Sequence, residues 1–189
     1  MTTRFPNGII ANSAAWRRIA RQAAFTSMPR RLLMADAPSN RRVACLTFDD
    51  GPHPEQTPRL LDVLRHEGVA ASFFVIGQRA EQYPDIVARI AREGHVLGNH
   101  SFFHNRTTEI PVGQLIDEVR RTADLVEHIT GRRPRCFRPP FGRLTPLAAV
   151  RLWMARQTVV LWNSNPRDFA MADADGLEEC EWQCPSRAS

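Results

Sequence analysis

The chain reads as an α/β domain built on a parallel sheet with helical crossovers. Two observations carry this reading. From Arg42 onward short apolar runs alternate with amphipathic helical segments, the pattern of strand–helix–strand units. Polar residues then recur where predicted strands end, which in a barrel-like β/α fold places them on one rim.

The elements follow in order. Val43–Phe48 is a continuous apolar run of the kind buried on both faces of a parallel sheet. Thr57–His66 spaces Leu60, Leu61 and Leu64 on one helical face. Ala70–Ile76 is a second buried strand. Arg79–Arg92 places Tyr83, Ile86, Val87 and Ile90 on a helical face, and Gly94 closes it. His95–Gly98 is a short strand, and Val112–Thr130 a long helix ended by Gly131. Cys136–Arg138 is strand-like, Thr145–Met154 helical, and Thr158–Trp162 a fifth strand. Asp49 and Asp50 close the first strand, Asn99 and His100 the third, and Arg138 and Asp168 follow the fourth and fifth.

Residues 1–41 show no strand pattern and are expected to be a poorly ordered Arg-rich extension, with the domain proper at 42–189. All 25 basic residues are arginines. Eight of them lie in residues 1–42 against a single acid, Asp36, a net +7. The remainder holds 17 arginines against 19 acids, a net −2. The pI of 9.8 therefore belongs to the N-terminal segment and does not support nucleic-acid binding by the folded part. Asn12–Phe25 can form an Arg-flanked amphipathic helix able to lie on an anionic membrane surface, although an unordered leader is the plainer expectation. No apolar run reaches the roughly 18–20 residues of a membrane span, and no apolar stretch near Met1 resembles a secretory signal, so the expected location is cytoplasmic. Cys45 and Cys136 fall in predicted strands as small buried hydrophobes. Cys180 and Cys184 lack the partners of a zinc knuckle.

The chemistry is concentrated in three motifs. Thr47-Phe48-Asp49-Asp50-Gly51-Pro52 puts two carboxylates at the end of a strand. His100-Ser101-Phe102-Phe103-His104 spaces two imidazoles at i and i+4. If that segment is helical, both rings share a face and can share a metal, although the spacing alone also describes two surface histidines. A carboxylate from another strand changes that balance, because two His and one Asp make an open metal shell with room for water and substrate. Asp-Asp-Gly-Pro is also a turn signal, but turn chemistry does not call for two acids on an apolar strand. Arg138-Pro139-Pro140-Phe141-Gly142 is the third motif.

In order, spacing and flanking residues, these motifs resemble the NodB-type polysaccharide deacetylases, carbohydrate esterase family four. The resemblance covers about Arg42 to Phe169. It implies a distorted (β/α) barrel of about seven strands, of which five are legible. It implies Asp50, His100 and His104 as ligands of a divalent metal, zinc by default from the ligand types, with cobalt or manganese as alternatives. It implies Asp49 as the base that takes a proton from the attacking water. Arg138 would orient that base, its guanidinium suited to a bidentate grip on a carboxylate. The Phe141 amide would help hold the oxyanion. Asn165-Pro166-Arg167-Asp168-Phe169 matches the family's Asp-x-x-Asp-Trp imperfectly. Asp168 would pair with Arg138 and Phe169 would wall the substrate groove, or the two are a turn Asp and a core Phe. His53 is close enough in sequence to line the site.

The family's last motif, Leu-x-His, has no counterpart, since no histidine follows His128. In the family that histidine protonates the leaving amine, so the domain is expected to lack its last strands and some activity. The expected function is hydrolytic N-deacetylation of an N-acetylglucosamine-containing glycan of the chitooligosaccharide type. The alternatives are an impaired domain that only binds metal or glycan, or a deacetylase of acetyl-xylan or peptidoglycan.

Overall fold

The computed structural model describes residues 33–34 and 44–162. Six strands form one parallel sheet: β1 (Leu33–Met34), β2 (Thr47–Gly51), β3 (Ser72–Val75), β4 (Val96–Asn99), β5 (Cys136–Phe137) and β6 (Thr158–Val160). Five helices connect them: α1 (Gln56–His66), α2 (Gly77–Gln82), α3 (Pro84–Arg92), α4 (Val112–Thr130) and α5 (Pro146–Met154). A 3-10 turn occupies Pro140–Gly142. The spatial order is β1-β6-β5-β4-β3-β2, with every pair parallel. From β2 to β6 spatial order equals chain order, as in a β/α barrel. The described strands leave the sheet open between β1 and β2. The α/β class with a parallel sheet is as expected.

Several boundaries differ from the sequence reading. Residues 1–41 do contribute to the sheet, because Leu33 and Met34 pair with Val159 and Val160. Two residues are too few for a periodic signal. The first long strand starts at Thr47 rather than Val43, and Cys45 lies exposed before it. Arg79–Arg92 is two helices, because Tyr83 leaves helical geometry (φ −129°, ψ 57°) and Pro84 starts the second. Proline disfavours helical geometry in its predecessor yet suits a first turn. The helix over Val112–Thr130 falls as expected, ended by Gly131 in the left-handed region (φ 71°). That glycine's N–H donates to the Glu127 carbonyl, a common helix stop. Thr145 caps α5 by accepting from the Ala148 N–H.

The core has two parts, and α4 joins them. Leu61 and Leu64 of α1, Phe73 and Val75 of β3, Ala80 of α2, Val87 and Ile90 of α3 and Val126 of α4 pack together. Leu115 and Val119 of α4 pack with Phe137 of β5, Ala148 and Leu152 of α5 and Val159 of β6. Phe73 and Val75 face that helical layer, so Phe74 points to the opposite face. There its ring lies under the Arg138 guanidinium, 4.1 Å from the ring centre. Phe74 pairs with Gly98 across β3 and β4. A Cβ on Gly98 would stand 2.4 Å from the Phe74 ring. Gly98 thus keeps a flat floor beneath the arginine. Among the described residues no helix is long and apolar enough to cross a membrane.

Gly98→Ala tests this floor. Phe74 is buried and capped by Arg138, so its ring has nowhere to swing. The expected destabilisation is about 1–3 kcal/mol, read as a lowered thermal midpoint. An unchanged midpoint would mean the ring relocates freely.

Candidate metal centre

Two adjacent acids in a regular strand point to opposite faces. Here β2 departs from regularity: its register with β3 shifts between Phe48 and Gly51, and Asp50 takes a left-handed backbone (φ 63°). Aspartate tolerates that region better than most side chains. Arg79 of α2 donates through Nη1 to the Asp50 carbonyl. The bulge sends the two carboxylates to different partners.

Asp50 Oδ1 lies 3.0 Å from His104 Nε2 and 3.3 Å from His100 Nε2. One ligand atom from each of the three residues falls within 4.8 Å of the others. His100 follows β4, its ring buried. Its Nδ1 stands 2.7 Å from the Arg138 carbonyl. A carbonyl only accepts, so Nδ1 carries a proton, and Nε2 is the nitrogen that faces Asp50. The hydrogen bonds from His100 and then His104, with their charges, hold the Asp50 carboxyl well below the usual carboxylate range, against a smaller opposing effect of burial. An ionised carboxylate and two imidazole nitrogens converging on one point suit a divalent cation with open positions.

The His-x-x-x-His segment is a loop and not a helix. Left-handed residues at Ser101 (φ 64°) and His104 (φ 58°) curl it until the two rings lie 5.0 Å apart. Three polar groups fix the curl. Asn99, fully buried, accepts from the Ser101 N–H and donates to the Val119 carbonyl of α4. Ser101 Oγ accepts from the His104 N–H. Glu118 of α4, also buried, accepts from the Phe103 N–H through one oxygen and from the Asn105 and Gln114 amides through the other.

Asp49 turns to Arg138, whose Nη1 lies 2.7 Å from Asp49 Oδ1 and 2.7 Å from Thr47 Oγ1. The grip is one nitrogen shared between two oxygens, not the bidentate fork expected, because Thr47 occupies part of the approach. The guanidinium is buried between the Phe74 ring and Trp162, whose ring centre lies 5.5 Å away. Phe141 sits left-handed (φ 59°) and half-exposed, its ring 4.9 Å from that of His104. Asp168 and Phe169 lie outside the described residues. His53 Nδ1 accepts from the Glu55 and Gln56 N–H groups at the start of α1.

Sequence reasoning missed the support of Thr47, Arg79, Glu118 and Trp162. Only Glu118 left a trace, as an acid three residues after Leu115 on the buried stripe of α4. Glu118→Leu should keep the volume but strip the acceptor from the His104 loop. Stability should fall by about 1–3 kcal/mol, and zinc affinity by about 10- to 100-fold. Thermal denaturation and competitive zinc titration would read both. Glu118→Gln, which keeps one acceptor oxygen, should lose less. Undiminished zinc affinity in Glu118→Leu would uncouple the loop from the centre.

Comparison with known proteins identifies the family and the fold. The family described as polysaccharide deacetylase matches residues 36–157. A peptidoglycan-N-acetylglucosamine deacetylase of Bacillus cereus is 36% identical over 142 residues, 74% of this chain and 51% of that protein. A chitooligosaccharide deacetylase of Azorhizobium caulinodans is 34% identical over 73% of this chain and 66% of its own length. Among solved structures, a peptidoglycan N-acetylglucosamine deacetylase superposes with a TM-score of 0.74 at 32% identity, over 77% of this chain and 68% of that one. The peptidoglycan deacetylase PdaC from Bacillus subtilis gives 0.69 at 35%, over 73% and 67%. The chain thus spans about half the length of the first of these curated relatives. With the family match covering well over half of its residues, this chain belongs to the polysaccharide deacetylase family.

Proposed function

We propose that the protein removes acetyl groups hydrolytically from N-acetylglucosamine units of a glycan such as peptidoglycan or chitooligosaccharide, using a divalent metal. One observation carries the reading: Asp50, His100 and His104 converge on a point, while the neighbouring Asp49 is held apart from them by Arg138. The relatives named as deacetylases of such glycans support the substrate class.

Asp50, His100 and His104 would hold the metal, zinc being favoured by the ligand types and cobalt or manganese acceptable. When bound, the metal supplies Lewis acidity toward the acetyl carbonyl and makes water more acidic. The remaining steps belong to the chain. Asp49 takes the proton from the water that attacks the acetyl carbon. Arg138 fixes the direction of that carboxylate. His100 keeps its Nε2 facing inward through its bond to the Arg138 carbonyl. The Phe141 amide donates to the oxyanion, and its ring walls the approach beside His104. Attack forms a carbon–oxygen bond, and collapse of the tetrahedral adduct breaks the carbon–nitrogen bond; the proton that Asp49 took passes to the departing nitrogen, and acetate and the free amine leave.

Acetate release from N-acetylglucosamine pentamer by the full chain, with added Zn²⁺ or Co²⁺, tests this. Asp49→Asn is the informative variant, since it keeps an oxygen to accept from Arg138 while removing the base. Its rate should fall by about 10²–10⁴-fold with metal binding retained. His100→Ala should lose both. Metal-dependent release undiminished in Asp49→Asn would remove Asp49 from the mechanism.

A further inference from the structure

A second feature adjoins the centre, and the function above does not use it. A cavity of about 160 Å³ is lined by Arg106, Thr107, Thr108, Pro140, Phe141 and Arg143. One of its lining residues is Phe141, whose ring lies 4.9 Å from that of His104 in the candidate centre. Two cations line it and no acid does. Arg106 lies with its guanidinium 5.0 Å from the Phe141 ring centre, and its exposed partner Glu109 stands 3.5 Å away. An exposed pair of that kind is held weakly. Arg143 has no acidic partner among the described residues. The two arginines come from different loops. Thr107, buried, ties those loops together through a hydrogen bond from its hydroxyl to the Arg143 carbonyl.

We infer that this cavity is a subsite for a carboxylate on the glycan, read by Arg106 and Arg143, which makes an acidic glycan the preferred substrate over a neutral one. The inference deepens the deacetylase reading and rests on it for the placement of the sugar. The physical reason is the unmatched charge. Two arginines line one cavity, and a planar carboxylate is the ligand that guanidinium donors fit best. A neutral chitooligosaccharide offers hydroxyls and acetamides, which do not need two cations. Peptidoglycan offers carboxylates from two sources, the lactyl ether of its muramic acid units and its stem peptide.

The test compares three oligosaccharides: N-acetylglucosamine pentamer, the alternating N-acetylglucosamine–N-acetylmuramic acid oligomer without peptide, and that oligomer with its stem peptide. The full metal-loaded chain is compared with Arg143→Gln and with Arg106→Gln/Arg143→Gln. Wild type should show a lower KM for an acidic oligomer than for the pentamer. The double variant should raise the acidic-to-neutral KM ratio by about tenfold, with kcat for each substrate unchanged. Preference for the peptide-free oligomer assigns the lactyl carboxylate; preference appearing only with peptide assigns the stem. Arg143→Gln alone, which breaks no described contact, should give part of the effect. Equal KM values for all three in wild type, or an equal loss on all three in the variants, overturns the inference. If no acetate is released from any oligomer, the deacetylase reading fails on its own. Calorimetric binding of the same oligomers then decides the subsite: a preference for acid abolished in the double variant upholds it, and its absence overturns it.

Discussion

Arg138 joins the two halves of the centre through two different parts of one residue. Its guanidinium holds Asp49, and its main-chain carbonyl holds His100. Asp49 and one imidazole of the candidate centre are therefore placed by the same residue. Burying a guanidinium is costly unless its charge and donors are met. Asp49 meets the charge, Thr47 Oγ1 and the Val160 carbonyl take further donors, and the Phe74 ring supplies a π-face. The glycine opposite Phe74 in β4 exists because that ring must lie flat. A chain of constraints thus runs from a strand glycine to the orientation of a carboxylate.

The second constraint is the bulge at the end of β2. A regular strand would place Asp49 and Asp50 on opposite faces and put one of them among the helices. The shift in register and the left-handed turn at Asp50 keep both on the rim with different neighbours. The negative charge is thereby divided: one carboxylate faces two imidazoles, and the other faces a guanidinium.

Much of this was legible in the sequence, and the rest was not for identifiable reasons. Asp49, Asp50, His100, His104 and Arg138 were singled out by motifs near predicted strand ends together with the resemblance of those motifs to the deacetylase family. The order of the elements was legible because apolar periodicity reports burial directly. The bulge was invisible, since Asp-Asp-Gly-Pro has no period to break. The sharing of one face by His100 and His104 was legible only on the condition of a helix, because i, i+4 spacing brings two rings together there, and a loop with two left-handed residues does the same. Pro84 did mark the helix break, but the apolar face of Ile86, Val87 and Ile90 outweighed it. Glu118 was hidden by distance. Nothing local shows that an acid on one helix serves the amides of a loop fifteen residues earlier.

The site is also where the backbone is least comfortable. Among the described residues, five non-glycine positions have positive φ: Asp50, Ser101, His104, Phe141 and Arg156. Four of the five build the centre or its wall. Such positions cost about 1–3 kcal/mol each, and glycine would relieve them. Glycine is not available at Asp50 or His104, whose side chains carry the chemistry. The strain has to be held by surrounding bonds instead. Arg79 grips the Asp50 carbonyl, Asn99 and Ser101 hold the curled loop, and the Gly142 N–H donates to Pro139 around Phe141. Trp162 covers Gly142 so closely that a Cβ there would stand 2.8 Å from its ring. Residues that never touch the substrate are thus as necessary to the centre as those that do. Their substitution should loosen its geometry before it unfolds the sheet, because the two apolar clusters lie on the helical side and do not depend on the rim.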